Sequence, residues 1–383
     1  MKTVRDIPVL ENVPVLVRAS LNEPTVGSVV ADTFRLRRAV PTLRYLADRG
    51  AKVIVISHIG EQGTETLEPV ARALARLTTG VSFFPETIGE NARQAARYLA
   101  PGQILVLENL RRNKGETAND PAFAKELAAL ADVFIEDSFD TCHRRHASIV
   151  TLPTLLPSYA GLLLEEEVRA LTDAREPKLP GLAVIGGAKF HTKEAALRAL
   201  IERYDHVFVG GALGNDFLRA AGHEVGASLV SDIDPSEMQP LLDNPRLLLP
   251  RDVLVVHRGE EKALNAHARV AKIDDVHPDE AILDHGPETI ALLANLAHEM
   301  KTILWNGPLG NYEHGFVDGT DSFARAVAKS GAHSVVGGGD TVASIENLGL
   351  MQHFSFVSTG GGAMLGFLAT GSLPGIDALE PHE

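Results

Sequence analysis

The sequence predicts an α/β protein of two doubly wound, Rossmann-like parallel-sheet domains joined by a long helix and hinge. Three observations carry this expectation. The chain has 383 residues, enough for two hydrophobic cores. Short β-branched runs alternate with longer helical patterns in both halves, as parallel strands with crossover helices require. Between Pro153 and Pro180 the texture changes to a Leu-rich, charged stretch around Leu162–Leu171, then a proline-flanked connector, Glu176–Pro180, which reads as a domain boundary.

In the first half the strand-like runs are Val13–Arg18, Val53–Ser57, Ile104–Leu107 and Val133–Glu136. Helical patterns follow at Leu36–Arg49, Leu67–Leu77 and Phe123–Leu130. Functional groups in such sheets lie beyond the carboxyl ends of the strands. There the chain places Arg18 and Asn22, then His58, then Asn109 and Arg111, then His143, Arg144, Arg145 and His146, with Arg35 and Arg37 opening the first long helix. A solvated surface arginine is the plain alternative for any one of them. As a set they read as a basic bowl for a small anion.

In the second half the strand ends are glycines. Leu182–Ile185 runs into Gly186 and Gly187, followed by Lys189, and Val207–Val209 runs into Gly210 and Gly211. Ile303–Trp305 leads to Asn306, Gly307 and Pro308, and Val335–Val336 leads to Gly337–Gly339, Asp340 and Thr341. The apolar run Phe354–Ser358 ends in Gly360–Gly362 before a helical stretch. Glycines between a strand and a helix expose backbone N–H groups at the positive end of a helix dipole, where a phosphate fits. Tight helix-on-sheet packing is the bland alternative. Lys189 would reach a transferring phosphate, and Asp340 would hold a magnesium ion or cap the helix that follows. Neither the G-x-x-x-x-G-K-[ST] loop nor a strand-linked G-x-G-x-x-G with an acidic partner fits these glycines.

Composition narrows the function. Acidic residues outnumber basic ones, 50 to 36, for a net charge of −14, which does not suit binding to nucleic acid. No run of 18 apolar residues exists, and the N-terminal residues lack the apolar core of a signal peptide, so no membrane association and a cytoplasmic location are expected. Cys142 is the only cysteine, and His143 and His146 beside it have no second ligand cluster, so zinc is not expected there. An arginine-rich half facing a glycine-rich half suits a two-substrate phosphotransferase, whose reaction needs positioning and charge neutralisation more than covalent help.

These segments resemble the phosphoglycerate kinase family. The likeness runs nearly end to end: Val15–Arg18 with Asn22, Arg35 ahead of Pro41–Leu43, Ser57–Gly60, Leu107–Arg111, His143 and Arg144 to Ser148, Gly186–Lys189 with Lys193, Leu304–Pro308, Gly337–Thr341 and Ser358–Ala363. The resemblance implies a hinge-bending, monomeric glycolytic kinase that moves a phosphoryl group between 1,3-bisphosphoglycerate and ADP, giving 3-phosphoglycerate and ATP with magnesium. It implies a substrate domain over 1–170, a nucleotide domain over 171–368, and a tail, 369–383, packing back on the first. By position, Arg18, Ser20, Leu21, Asn22, Arg35, His58, Ile59, Gly60, Glu61, Arg111, Arg144 and His146 would meet the acid. Lys189, Lys193, Gly211, Asn306, Pro308, Glu313, Gly338, Gly339, Asp340 and Thr341 would meet the nucleotide, with Asp340 on the metal. Arg35, Lys189, Gly338 and Gly361 would serve catalysis.

The pattern breaks in places. Ser20 stands where the family has Asp, Glu61 where it has Arg, Glu136 and Asp140 where it has Asn and Gly, and Thr192 where it has Asp. An anion about 6 Å from a ligand charge would forfeit roughly 3 kcal/mol at an effective dielectric near 20, and add a similar repulsion. Ser20 and Arg145 compensate in sign, while Glu136 and Asp140 push the other way. A kinase of the same fold acting on a different small carboxylic acid, or a weakly active nucleotide-binding relative, therefore stays open beside the first reading.

Overall fold

A computed structural model describes residues 1–27, 29–261 and 267–380. The chain divides into two compact units, Met1–Arg169 with the segment from Ser372 on, and Ala170–Gly371. The helix Leu162–Arg175 runs from the first into the second. Residues 381–383 of the expected tail lie outside the described residues.

The first unit is built on a 6-stranded sheet in the order Val81–Phe84, Ile104–Leu107, Lys52–Ile56, Pro14–Ala19, Val133–Asp137, Ser158–Ala160. Every neighbouring pair is parallel. Val15, Val17, Val53 and Val55 pack with Leu36, Leu43, Leu46 and Leu74 of the helices, while Leu16, Ile54 and Phe134, which alternate with them, are also buried. Burial on both faces explains why these strands read as continuous apolar runs. The chain lays strands to one side of Pro14–Ala19 and then crosses to Val133–Asp137 on the other. Ligands favour such a reversal point, and the basic residues surround it. Past Ser372, the segment Pro374–Asp377 rests on this unit, with the Gly375 N–H donating to the Cys142 carbonyl at 2.9 Å.

The second unit repeats the plan with Leu247–Leu248, His206–Val209, Gly181–Ile185, Thr302–Asn306, His333–Gly337 and Phe356–Val357, again all parallel. Its reversal point lies between Gly181–Ile185 and Thr302–Asn306. Trp305 is wholly buried there and meets Phe323 edge to face, centroids 4.9 Å apart. Beside this sheet stands an antiparallel one, Arg269–Lys272, Asp252–His257 and Glu280–His285, with its own core around Val253, Val255 and Ile282. The alternation of strand and helix does not foretell it. Among the described residues no helix is long and apolar enough to cross a membrane.

The two loops at this reversal point touch backbone to backbone. A Cβ on Gly186 would sit 2.1 Å from the Pro308 carbonyl oxygen, and Gly307 is held at φ +94° against Gly186. Gly186→Ala is expected to cost the second unit about 1–3 kcal/mol, because backbone and not a flexible side chain must yield. The buried Trp305 is the only tryptophan of the chain and reports the unfolding midpoint of that unit; an unchanged midpoint in denaturant would show that the loops give way.

Candidate active site

In the first unit the site begins with Arg18, inside the strand Pro14–Ala19 and 1% exposed. Its Nε donates to Ser148 Oγ at 3.2 Å, its Nη1 to the Ala19 carbonyl at 2.9 Å, and its Nη2 to His58 Nδ1 at 3.0 Å. These partners are uncharged, so they fix the guanidinium without cancelling its charge. His58 is buried against Arg18, Arg111 and Arg144; burial first, then those cations, hold its pKa well below the ordinary value. His146 is pushed down to about 4 by burial and by Arg111, Arg144 and Arg18. Both imidazoles are therefore neutral at pH 7, and three arginines share one field. The Nε atoms of Arg111 and Arg144 are buried without a hydrogen-bond partner. Unpaired charged donors of this kind are costly unless an anion meets them.

Asn109 locks the surrounding loops together. Its Oδ1 accepts from the N–H groups of Ile59 and Arg111, and its Nδ2 donates to the carbonyls of Ile59 and Glu65. Asn22 Oδ1 accepts from the Gly60 N–H at 3.0 Å, and Arg111 Nη1 donates to the Gly60 carbonyl. Leu21 and Ile59 bury their side chains in the core, so only their backbone is available to a ligand. Ser20 is buried and its Oγ has no partner. Glu61 is exposed and lies close enough to Arg111 to offset part of that arginine's depressed pKa. Arg35 lines a cavity of about 510 Å³ together with Asn22 and Gly60. His143 and Arg145 are exposed.

One support was not legible as a site residue. Glu116, wholly buried, accepts from the Ser148 Oγ–H at 2.7 Å and the Ser148 N–H at 3.0 Å, and so aims the hydroxyl that holds Arg18. Nothing local in the Lys114–Thr117 turn announces that role.

The second unit holds a cavity of about 230 Å³ lined by Gly187, Gly211, Pro308, Leu309, Glu313 and Asp340 among others. Lys189 is exposed and held at φ +66°, a left-handed conformation that costs a lysine about 1–2 kcal/mol. Strain of that kind accompanies functional placement. Lys193 donates to the Ala188 carbonyl, and its pKa is lowered by burial and by the nearby Lys189. Asp340 is not the helix cap: Gly338, at φ +101°, occupies the N-cap of Gly339–Asn347, and Asp340 lies in the first turn with its pKa raised by burial and by Glu313. Thr341 is buried with an unpartnered Oγ1. Asn306 turns toward the helix Gly361–Thr370, its Nδ2 3.4 Å from the Gly361 carbonyl, which is a structural contact.

Packing does not explain Gly361 and Gly362. A Cβ on Gly362 would meet nothing within 4 Å, and one on Gly361 only the Gly338 Cα at 3.8 Å. The N-cap, Gly360, supplies no side-chain cap, so the N–H groups of this turn stay free of one. His285 and Asp284 also line the cavity, a pair that sequence reading passed over because the strand Glu280–His285 lay outside the alternation. His285 is buried, its pKa pushed down to about 4 by that burial, and its Nε2 accepts from the Gly211 N–H at 3.3 Å.

The phosphoglycerate kinase family model matches residues 4–371. The chain belongs to that family. A phosphoglycerate kinase of Rubrobacter xylanophilus is 43% identical, covering 100% of this chain and 99% of its own. One from Moorella thermoacetica is 40% identical over 98% of each chain. Among solved structures, phosphoglycerate kinase from Coxiella burnetii is similar with a TM-score of 0.82 at 37% identity, covering 98% of each chain. The enzyme from Pyrococcus horikoshii scores 0.86 at 29% identity, covering 99% of this chain and 98% of its own. This chain is accordingly a phosphotransferase of the family, with two parallel-sheet α/β units.

Glu136 is the least expected group in this family site. It is Arg18's register partner on the adjacent strand, wholly buried, with Oε1 accepting from the Ser138 N–H and Oε2 unpartnered. Burial raises its pKa well above 4.5, against the pull of Arg18. The folded state thus binds this proton more firmly than the unfolded chain does. The resulting stability is full below about pH 4.5 and is lost as pH rises through the folded value. Glu136→Gln keeps the acceptor for Ser138 and removes the titration. Melting temperature measured across pH should show the variant gaining on the wild type as pH rises; a constant difference would mean that Glu136 does not titrate there.

Proposed function

We propose that the chain transfers a phosphoryl group reversibly between 1,3-bisphosphoglycerate and ADP, giving 3-phosphoglycerate and ATP, with the acid on the first unit and the nucleotide on the second. The observation that carries this reading is the bowl of Arg18, Arg111 and Arg144, three cations gathered with neutral His58 and His146 in a chain of net charge −14. Such a cluster is stable in proportion to the anion it receives. The phosphate of the acid would lie against these groups, and Arg35 would neutralise the group in transfer.

On the second unit Lys189 and Lys193 would take nucleotide phosphates, Glu313 the ribose, and the free N–H groups at Gly361 the transferring phosphoryl group. Magnesium fits the donor set, since Asp340 is a single half-buried carboxylate in a helix first turn and Mg²⁺ is usually held by one or two carboxylates with substrate phosphates. When bound it neutralises phosphate charge. No general base is needed, because the attacking carboxylate or diphosphate oxygen is already ionised.

A second reading, a kinase for another small carboxylic acid, draws on Glu61 beside Arg111. A coupled assay with ATP and a panel of acids decides between them: turnover of 3-phosphoglycerate supports the first, turnover of another acid alone the second. Lys189→Met is expected to reduce kcat by about 10²–10³-fold, as removing a transition-state cation does. Binding of 3-phosphoglycerate should also draw a proton onto His146, because an anion raises an imidazole pKa that the arginines hold at about 4. Calorimetry near pH 5 in buffers of differing ionisation enthalpy measures that uptake. None would place the anion away from His146.

A further inference from the structure

Glu23 is 1% exposed and belongs to none of the groups assigned above. Its Oε1 accepts from the backbone N–H of Arg35 at 2.6 Å, and its Oε2 stands 3.4 Å from Arg35 Nη1. The same Nη1 donates to the Asn22 carbonyl at 3.0 Å. The helix Phe34–Ala47 begins at Thr33, whose side chain makes no capping bond. Asp32 Oδ1 accepts from the Phe34 N–H at 2.7 Å and Glu23 from the Arg35 N–H, so two carboxylates stand at the positive end of the helix dipole and Glu23 is the buried one. Glu23 alone therefore ties the first turn of this helix to the guanidinium that the turn carries. Arg35 Nε has no partner, and Arg35 and Glu23 both line the cavity beside Asn22 and Gly60.

We propose that Glu23 is the positioning residue for Arg35, and that turnover requires Glu23 as a carboxylate. The inference rests on the reading in which Arg35 neutralises the transferring phosphoryl group. Without the ion pair Arg35 keeps its Asn22 contact but loses the second point that fixes its plane, and phosphoryl transfer depends on the placement of such cations. The charged groups facing Glu23 are Arg35 and Asp32 from the start of the helix, with Glu65 on the same cavity. Burial, reinforced by Asp32, outweighs Arg35 and the N–H groups and raises the carboxyl to about 7. Above that pH Glu23 is ionised and the pair forms; below it the proton removes the pair. kcat should fall as pH drops through about 7.

The test uses the full chain, with ATP, magnesium and 3-phosphoglycerate, from about pH 5.5 to 8.5. Glu23→Gln retains an oxygen for the Arg35 N–H, and should lower kcat at high pH by about tenfold, the worth of one charged hydrogen bond, while the nucleotide KM stays unchanged. It should also abolish the acid limb near pH 7, which Glu23→Asp, still a carboxylate, should keep. In an Arg35→Lys background Glu23→Gln should change kcat little. Wild-type kcat and an intact acid limb in Glu23→Gln would overturn the proposal. An equal loss in the Arg35→Lys background would also overturn it, showing a purely structural role. Should Glu23→Gln fail to fold, as judged by thermal melting, an acid limb lost in Glu23→Asp would count against the proposal and one retained would support it. Turnover by the wild type with an indifferent Glu23→Gln sinks this inference alone. Absence of wild-type turnover on 3-phosphoglycerate sinks the functional reading and this inference with it.

Discussion

Like charges gathered in a small space repel, and the first unit is organised around carrying that repulsion at one end of a parallel sheet. Arg18, Arg111 and Arg144 each depress the pKa of His58 and His146, and Arg18 and Arg144 depress that of Arg111. Three features make the arrangement tolerable. The histidines stay neutral and so add no charge. Uncharged hydroxyls and carbonyls take up the Arg18 donors. Glu116 sits one layer back, satisfied by Ser148, supplying negative charge without blocking the bowl. The site spends stability to remain cationic, which is the usual relation between a functional site and its fold.

The second unit meets the opposite constraint, backbone approaching backbone so closely that side chains cannot intervene. Contact between Gly186 and the Gly307–Pro308 loop leaves no room for a methyl group, whereas Gly362 has open space around it. The two kinds of glycine answer different constraints. The first are required by chain packing at the sheet's reversal point; the second leave N–H groups uncovered at a helix start.

Both sheets were largely legible, because strands buried on two faces read as uninterrupted β-branched runs. Val81–Phe84 was missed for the converse reason: it is an edge strand and only half buried, and so lacks that signature. The antiparallel sheet around Asp252–His257 interrupts the alternation from which the topology was inferred. At the site, residue types at strand ends pointed to Arg18, His58, Arg111 and Lys189. What they left out depends on contacts distant in sequence. Glu23 and Arg35 are 12 residues apart, Glu116 and Ser148 32, and His285 reaches Gly211 across 74. No local pattern encodes such pairs, since each is fixed by topology and only then by chemistry. Asp340 shows a subtler limit, because an aspartate after glycines resembles an N-cap until the backbone assigns that position to Gly338.

Exposure decides how much the substitution of Glu61 matters. At an effective dielectric of 20 a carboxylate about 6 Å from a ligand charge is worth roughly 3 kcal/mol, but in water the same pair is worth about 0.7 kcal/mol. Glu61 is exposed, whereas Arg18 is 1% exposed and the Nε atoms of Arg111 and Arg144 are buried. Solvent and salt therefore screen the anion more effectively than the cations it opposes. The field inside the bowl is set by its buried groups, with Glu61 trimming it at the rim. That asymmetry favours a phosphorylated acid as the ligand, and it locates the departure least exposed to screening at Glu136, wholly buried beside Arg18 on the adjacent strand.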